Sequence, residues 1–216
     1  MKFELVVFDW DGTLMDSTPT IVSSIQEAAR DVGLQVPPDS TASHVIGLGL
    51  ADALRFALPD LTQDMVPRLV ERYRHHYLSR DQTLSLFPGV VEMLEGLRAR
   101  GALTAVATGK NRIGLERALE HSGLRDHFDA TRCADETRSK PHPQMLLELM
   151  DALDVSAAAT VMVGDTTHDL QMAASAGTGA VAVNYGAHPA HELAAHSPAH
   201  VAGSVPELHE WLLRRV

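Results

Sequence analysis

The strongest constraint in this sequence is a pair of aspartates, Asp9 and Asp11, placed directly after the apolar run Leu5-Val6-Val7-Phe8. Residues two apart on a strand share a face, so the end of such a strand aims both carboxylates into one crevice. Gly12 and Thr13 then let the chain turn tightly and approach a ligand closely. Open α/β sheets hold ligands at the carboxyl ends of parallel strands, which is where these side chains would lie. More apolar runs of strand length follow at Leu103–Ala107, Thr160–Val163 and Ala180–Val183. Helical patterns separate them, the rhythm of a parallel sheet with crossover helices. Phe128-Asp129-Ala130 and the residues near Cys133 make a weaker strand candidate. The segment Val90–Arg100 puts Val90, Val91, Leu94 and Leu97 on one helical face and stops at Gly101.

Residues from about 16 to 86 break this rhythm. They predict helices and no confident strand. One helix runs from about Thr18 to Asp31, ahead of Gly33, and another from about Gln63 to Leu78. Pro67 falls in the first turn of the second, where proline is tolerated. The expected organisation is an α/β core from residues 1–15 and 87–216, with residues 16–86 forming an inserted all-helical cap. Its polar hinges would lie near Asp16-Ser17 and Ser85–Pro88.

Composition narrows the function classes. A formal net charge of −10 argues against nucleic-acid and membrane-surface binding, which call for a basic patch. The lone Cys133 excludes an intrachain disulfide and is expected to be a small buried hydrophobe. The first strand begins near residue 3, which leaves no room for a cleaved signal peptide, and no apolar run of about 18 residues is present. The expectation is a soluble cytoplasmic protein, monomer or homodimer.

Four dispersed pieces fit one reaction centre: Asp9 to Thr13, Thr108-Gly109, Lys140, and Gly164-Asp165 with Asp169. Phosphoryl transfer needs a nucleophile, a divalent metal, donors for the equatorial oxygens and a proton source for the leaving oxygen. Asp9, Asp165 and Asp169 offer the hard oxygens that magnesium prefers. Asp165 and Thr108 each follow a predicted strand. The Thr108 hydroxyl and the Gly109 amide suit a phosphate oxygen. Lys140 lies in a loop stiffened by Pro141 and Pro143. Singly these pieces read as turns, helix caps or a surface lysine. Their joint order carries the signal.

Other motifs fail on inspection. Gly109-Lys110 is no nucleotide P-loop, because Thr104 stands where the first glycine belongs and Asn111 is neither Ser nor Thr. Gly47-Leu48-Gly49 lacks a third glycine and follows no strand. His188, His191, His196 and His200 lie in an Ala- and Pro-rich stretch that reads as a surface loop rather than a zinc site. Met162 and Met172 are expected in the core.

Asp-Trp-Asp-Gly-Thr-Leu-Met-Asp-Ser at 9–17, Ala-Thr-Gly-Lys at 107–110, Ser-Lys-Pro-His-Pro at 139–143 and Gly-Asp-Thr-Thr-His-Asp at 164–169 resemble the four ordered motifs of the haloacid dehalogenase superfamily. Within it, the chain is most similar to the phosphoglycolate phosphatase group. The resemblance implies a Rossmann-like doubly wound parallel sheet with an inserted helical cap. It implies a magnesium-dependent phosphatase acting on a small phosphorylated metabolite, 2-phosphoglycolate being the best single substrate. Asp9 would be the nucleophile that becomes phosphorylated, and Asp11 the general acid/base. Thr108, Gly109, Lys110 and Lys140 would hold substrate, with Lys140 also quieting charge on Asp9. The metal set would be Asp9, the Asp11 carbonyl, Asp165 and Asp169, the last directly or in support. Gly109 stands where many relatives carry Asn, which affects the positioning of that loop. Val45–Leu50 reads as the cap's substrate-facing turn, or as a plain helix–helix loop. Two rivals share the motifs: a phosphomutase such as a β-phosphoglucomutase, and a non-catalytic phosphate-binding regulatory protein. Gly12–Thr20 resembles the phosphatases more than the mutases. Intact Asp9, Asp11, Lys140 and Asp165 count against a decayed site.

Overall fold

The computed structural model describes residues 2–216. Six parallel strands make one sheet: β1 (Leu5–Phe8), β2 (Leu103–Thr108), β3 (Ala130–Cys133), β4 (Thr160–Gly164), β5 (Gly179–Val183) and β6 (His200–Ala202). Their spatial order is β3-β2-β1-β4-β5-β6. The chain builds outward from β1 to β3, then crosses back to lay β4 on the other side of β1. That reversal is where a doubly wound sheet opens a crevice. Phe8 is in register with Val106 on β2 and with Val163 on β4. Asp9, Thr108 and Asp165 therefore emerge close together at one edge.

Helices α1 (Thr18–Asp31), α2 (Asp39–His44), α3 (Leu50–Ala57) and α4 (Val66–Leu78) lie between β1 and β2, followed by α5 (Val90–Ala99). The remaining helices are α6 (Arg112–Ser122), α7 (Gln144–Leu153), α8 (Thr167–Ala176), α9 (Ala190–Ala195) and α10 (Val205–Leu213). β1 is buried at all of its positions, which explains its unbroken apolar run. Val6 and Phe8 pack toward α5, α6 and α10 through Leu94, Leu115 and Leu208. Leu5 and Val7 pack toward α7 and α8 through Leu146, Leu149 and Met172. Helices cover both faces, as an all-parallel sheet requires. Cys133, Met162 and Met172 are fully buried, as expected. No described helix is long and apolar enough to cross a membrane.

The four helices after β1 gather around Ile21, Ile25, Leu54 and Leu69, a core separate from those of the sheet. The chain leaves and returns through paired segments. Asp16 N–H donates to Ser85 O at 3.0 Å, and Phe87 N–H donates to Leu14 O at 3.0 Å. α1 has the expected bounds. α4 begins at Val66 rather than near Gln63, because Pro67 sits at the start of the helix, where its missing N–H is harmless. The edge strand β6 and helix α9 were not foreseen. Both are short, and neither carries an apolar run long enough to stand out.

Candidate active site

Asp9 leaves the end of β1, and its N–H donates to Val163 O at 2.9 Å. Its side chain is wholly buried. Lys140 enters from the loop ahead of α7. Its Nζ lies 2.5 Å from Asp9 Oδ1 and 2.7 Å from Asp169 Oδ1. Asp169 is held by the helix it starts. Its Oδ2 accepts from Thr166 Oγ1 at 2.7 Å and from Thr166 N–H at 3.1 Å, the reciprocal cap of α8. That cap aims the other oxygen at Lys140. Asp165 Oδ1 accepts from Thr13 Oγ1 at 3.0 Å, and Oδ2 accepts from Ala187 N–H at 2.7 Å. This approach needs glycine at 12, where φ is +82° and a Cβ would stand 2.1 Å from Asp165 Oδ2.

Oxygens of Asp9, Asp165 and Asp169 lie within 4.8 Å of one another. All three are buried, and two of them, Asp9 and Asp169, share one ammonium, Lys140. Burial pushes Asp9 up to about 7 and outweighs the pull of Lys140, with Asp169 adding to the rise. Burial, then the charges on Asp9 and Asp169, pushes Asp165 well above the usual carboxylate range. Burial opposes the Lys140 ammonium, yet Asp169 and Asp9 together outweigh it and hold the lysine charged. Asp9 Oδ2 is buried with no hydrogen-bond partner. A bare carboxylate oxygen in an acidic, all-oxygen cluster fits a hard divalent cation such as magnesium.

Asp11 forms the other half of the site. Its Oδ1 accepts from Ser17 Oγ at 2.7 Å, and its Oδ2 lies 3.0 Å from Lys110 Nζ. Lys110 Nζ also donates to Tyr77 Oη at 2.9 Å, which ties α4 to the loop after β2. Ser17 precedes α1 but makes no capping bond, so its hydroxyl serves Asp11 instead. Thr108 is buried, and its Oγ1 accepts from Lys110 N–H at 3.1 Å. The Thr108 hydrogen is thus left to donate. A Cβ on Gly109 would stand 2.6 Å from the carbonyl oxygens of both Gly47 and Leu48. The turn between α2 and α3 therefore rests directly on Gly109. A side chain at position 109 has no room in this arrangement. Gly49 N–H donates to Ser139 Oγ at 2.9 Å and fixes the same turn beside Lys140.

The structure thus gathers Asp9, Lys140, Asp165 and Asp169 in one cluster, with Asp11, Thr108, Gly109 and Lys110 grouped beside it. Thr13, Ser17, Tyr77, Ser139 and Thr166 support these groups; the sequence placed Thr13 in the turn after Asp11 and Ser17 at a hinge, but gave none of the five this supporting role. Thr166 and Asp169 had a readable signal, the three-residue spacing of a capping box. Tyr77 had none, because its partner Lys110 is remote in sequence.

The expectation that His188 lies in a surface loop is corrected. His188 is only 2% exposed. Thr167 N–H donates to its Nδ1 at 3.1 Å, so its Nε2 carries the hydrogen and donates to His44 O at 3.0 Å. His168 Nε2 donates to the same carbonyl at 2.9 Å. The His44 ring stacks on His188 with centroids 4.6 Å apart. His44, His188 and Glu192 are close enough to suggest a metal site. Both His188 nitrogens are engaged, however, and burial pushes its pKa down to about 4. The cluster clasps the end of α2 to the sheet domain. His191 and His196 are exposed, and His200 begins β6.

A model of the family described as haloacid dehalogenase-like hydrolase matches residues 6–183. The chain is 39% identical over 212 residues to the protein named probable phosphatase IndB of Dickeya dadantii, covering 94% of this chain and 91% of that one. It is 30% identical over 216 residues to phosphoglycolate phosphatase of Vibrio parahaemolyticus, covering 96% and 95%. The crystal structure of a predicted phosphoglycolate phosphatase from Haemophilus somnus superposes with a TM-score of 0.86 at 27% identity, covering 98% of each chain.

Proposed function

The chain belongs to the haloacid dehalogenase-like hydrolase family, and from that premise we propose that it is a magnesium-dependent phosphatase of a phosphomonoester, working through an aspartyl phosphate on Asp9. One observation carries this reading. Three buried carboxylates cluster together while a single ammonium, Lys140, pairs with only two of them, Asp9 and Asp169, and the nucleophile position keeps one oxygen, Asp9 Oδ2, without a partner.

A carboxylate oxygen of Asp9 attacks phosphorus in line with the ester oxygen. Lys140 holds Asp9 Oδ1 and offsets charge as the phosphoryl group arrives. The Thr108 hydroxyl and the Gly109 amide hold equatorial oxygens. Asp11 protonates the departing alkoxide, then takes a proton from the water that attacks the aspartyl phosphate. Ser17 and Lys110 fix the Asp11 carboxyl for both steps. Asp9, Asp165 and the Asp11 carbonyl would hold magnesium. Asp169, whose oxygens face Thr166 and Lys140, would support that site. Bound there, the ion neutralises phosphate charge. Residues 16–86 would serve as the cap, closing over the substrate and excluding bulk water.

The test is phosphate release from a panel of phosphomonoesters, with magnesium and with excess EDTA. Release that needs magnesium supports the reading, and undiminished release in EDTA overturns it. 2-Phosphoglycolate, the substrate that similarity to relatives carrying its name suggests, is the benchmark against which the rest of the panel is compared.

A further inference from the structure

A cavity of about 490 Å³ opens between Asp11, Gly109 and Lys110 on one side and the turn and helices of the insertion on the other. Its wall is mostly apolar, including Ile21, Ile25, Val45, Ile46, Tyr73 and Tyr77. Cavities of about 300–1,000 Å³ enclose whole organic ligands. A two-carbon leaving group beside Asp11 would leave most of this apolar wall uncovered. The two tyrosines lie one turn apart on α4 and are stacked, with centroids 5.9 Å apart and planes 17° apart. They present aromatic surface beside the proton donor.

The charges in the wall speak to the same point. Lys110, Arg74 and Arg117 are balanced by Asp11, Asp52 and Asp135. Lys110 is already paired with Asp11 at 3.0 Å, and Arg117 with Asp81 at 3.0 Å. Arg74 is exposed. A carboxylate on the leaving group, as in 2-phosphoglycolate, finds no buried, uncommitted cation here. An uncharged body of ring size has both room and partners.

We infer that this site selects phosphomonoesters whose leaving group is an uncharged, mainly apolar alcohol of ring size, seated against Tyr73, Tyr77 and Ile46. The inference rests on the phosphatase reading above and names the substrate class of that site. Filling such a wall with a ring in place of an ethyl group is worth at least about tenfold in selectivity.

Three unactivated esters test it in the presence of magnesium: benzyl phosphate, ethyl phosphate and 2-phosphoglycolate. The expected order of kcat/KM puts benzyl phosphate at least about tenfold above each of the others. Tyr73→Leu should shrink the benzyl-to-ethyl ratio. A second measurement stands apart from turnover and from the variant's folding: the thermal shift of the wild-type protein with magnesium and benzylphosphonate or ethylphosphonate. The benzyl compound should give the larger shift at equal concentration. Equal shifts would overturn the inference, as would a kcat/KM for 2-phosphoglycolate at or above that of benzyl phosphate. If no ester is turned over while benzylphosphonate still binds more tightly, the phosphatase reading fails and the assignment of the cavity survives.

Discussion

Lys140 Nζ stands 2.5 Å from Asp9 Oδ1, and both side chains are wholly shielded from solvent. The pair is not isolated, since Asp169 shares the same ammonium at 2.7 Å. Removing one member of a buried ion pair strands the other charge, at a cost of about 3–5 kcal/mol. Lys140→Met should therefore lower stability by several kcal/mol at pH 8, and phosphate release should fall below measurement. Asp9→Asn placed in the Lys140→Met background should recover part of the stability, because it removes one of the stranded carboxylates. Urea denaturation midpoints check both. Unchanged stability in the single variant would mean that the lysine is not the counter-charge of this cluster.

Asp9→Asn alone separates chemistry from folding. The amide nearly matches the carboxylate in shape but cannot act as the nucleophile. Turnover should vanish. Stability in EDTA at pH 8 should hold or rise, because one of three crowded buried carboxylates is gone. Retention of a tenth of wild-type turnover would exclude Asp9 as nucleophile.

The acidic cluster predicts a pH-dependent metal response. Burial raises Asp9 to about 7, and Asp165 is raised as well. A carboxyl whose folded pKa exceeds its unfolded value contributes stability below the unfolded pKa, near 4, and loses it as pH climbs through the folded value. Without metal, this contribution should fade between about pH 4 and pH 7. Magnesium needs the ionised carboxylates, so its stabilisation should be small at pH 5 and large at pH 8. Asp165→Ala should weaken it. Melting temperatures with magnesium and with EDTA across that range provide the check, and a magnesium shift independent of pH would contradict the assignment.

Much of this site was legible because its key residues lie at strand ends. Asp9, Thr108 and Asp165 follow apolar runs that the parallel sheet brings into register, and a run of apolar residues is the strongest local signal a sequence carries. Contacts that cross from the insertion to the sheet domain were not legible. The Tyr77–Lys110 bond, and the grip of His168 and His188 on the His44 carbonyl, join residues far apart in sequence. Nothing local marks them. His188 was misread for the same reason: its neighbours Ala187, Pro189 and Ala190 suggest a loop, while its burial comes from the end of α2. The short edge strand β6 depends on pairing with β5 rather than on its own three residues.

Gly109 offers the sharpest test of how the insertion meets the phosphate loop. Its φ is not among the positive values in the chain, so alanine is tolerated by the backbone there. The obstacle is steric. A Cβ would meet the Gly47 and Leu48 carbonyl oxygens at 2.6 Å, and backbone atoms do not yield as a flexible side chain does. The turn cannot simply lift away, because Gly49 N–H is bonded to Ser139 and the His44 carbonyl is held by two imidazoles. Gly109→Ala should therefore strain the closed arrangement by about 1–3 kcal/mol, the usual cost of overpacking. If closure of residues 16–86 holds the substrate, KM should rise about tenfold or more while kcat falls less. His188→Ala removes one tether of the turn. Combined with Gly109→Ala, it should restore part of the stability lost, since the turn is then freer to move. Steady-state kinetics and denaturation midpoints of the single and double variants form the cycle. Strict additivity of the two changes would show that the turn and the histidine clasp do not act on one closure.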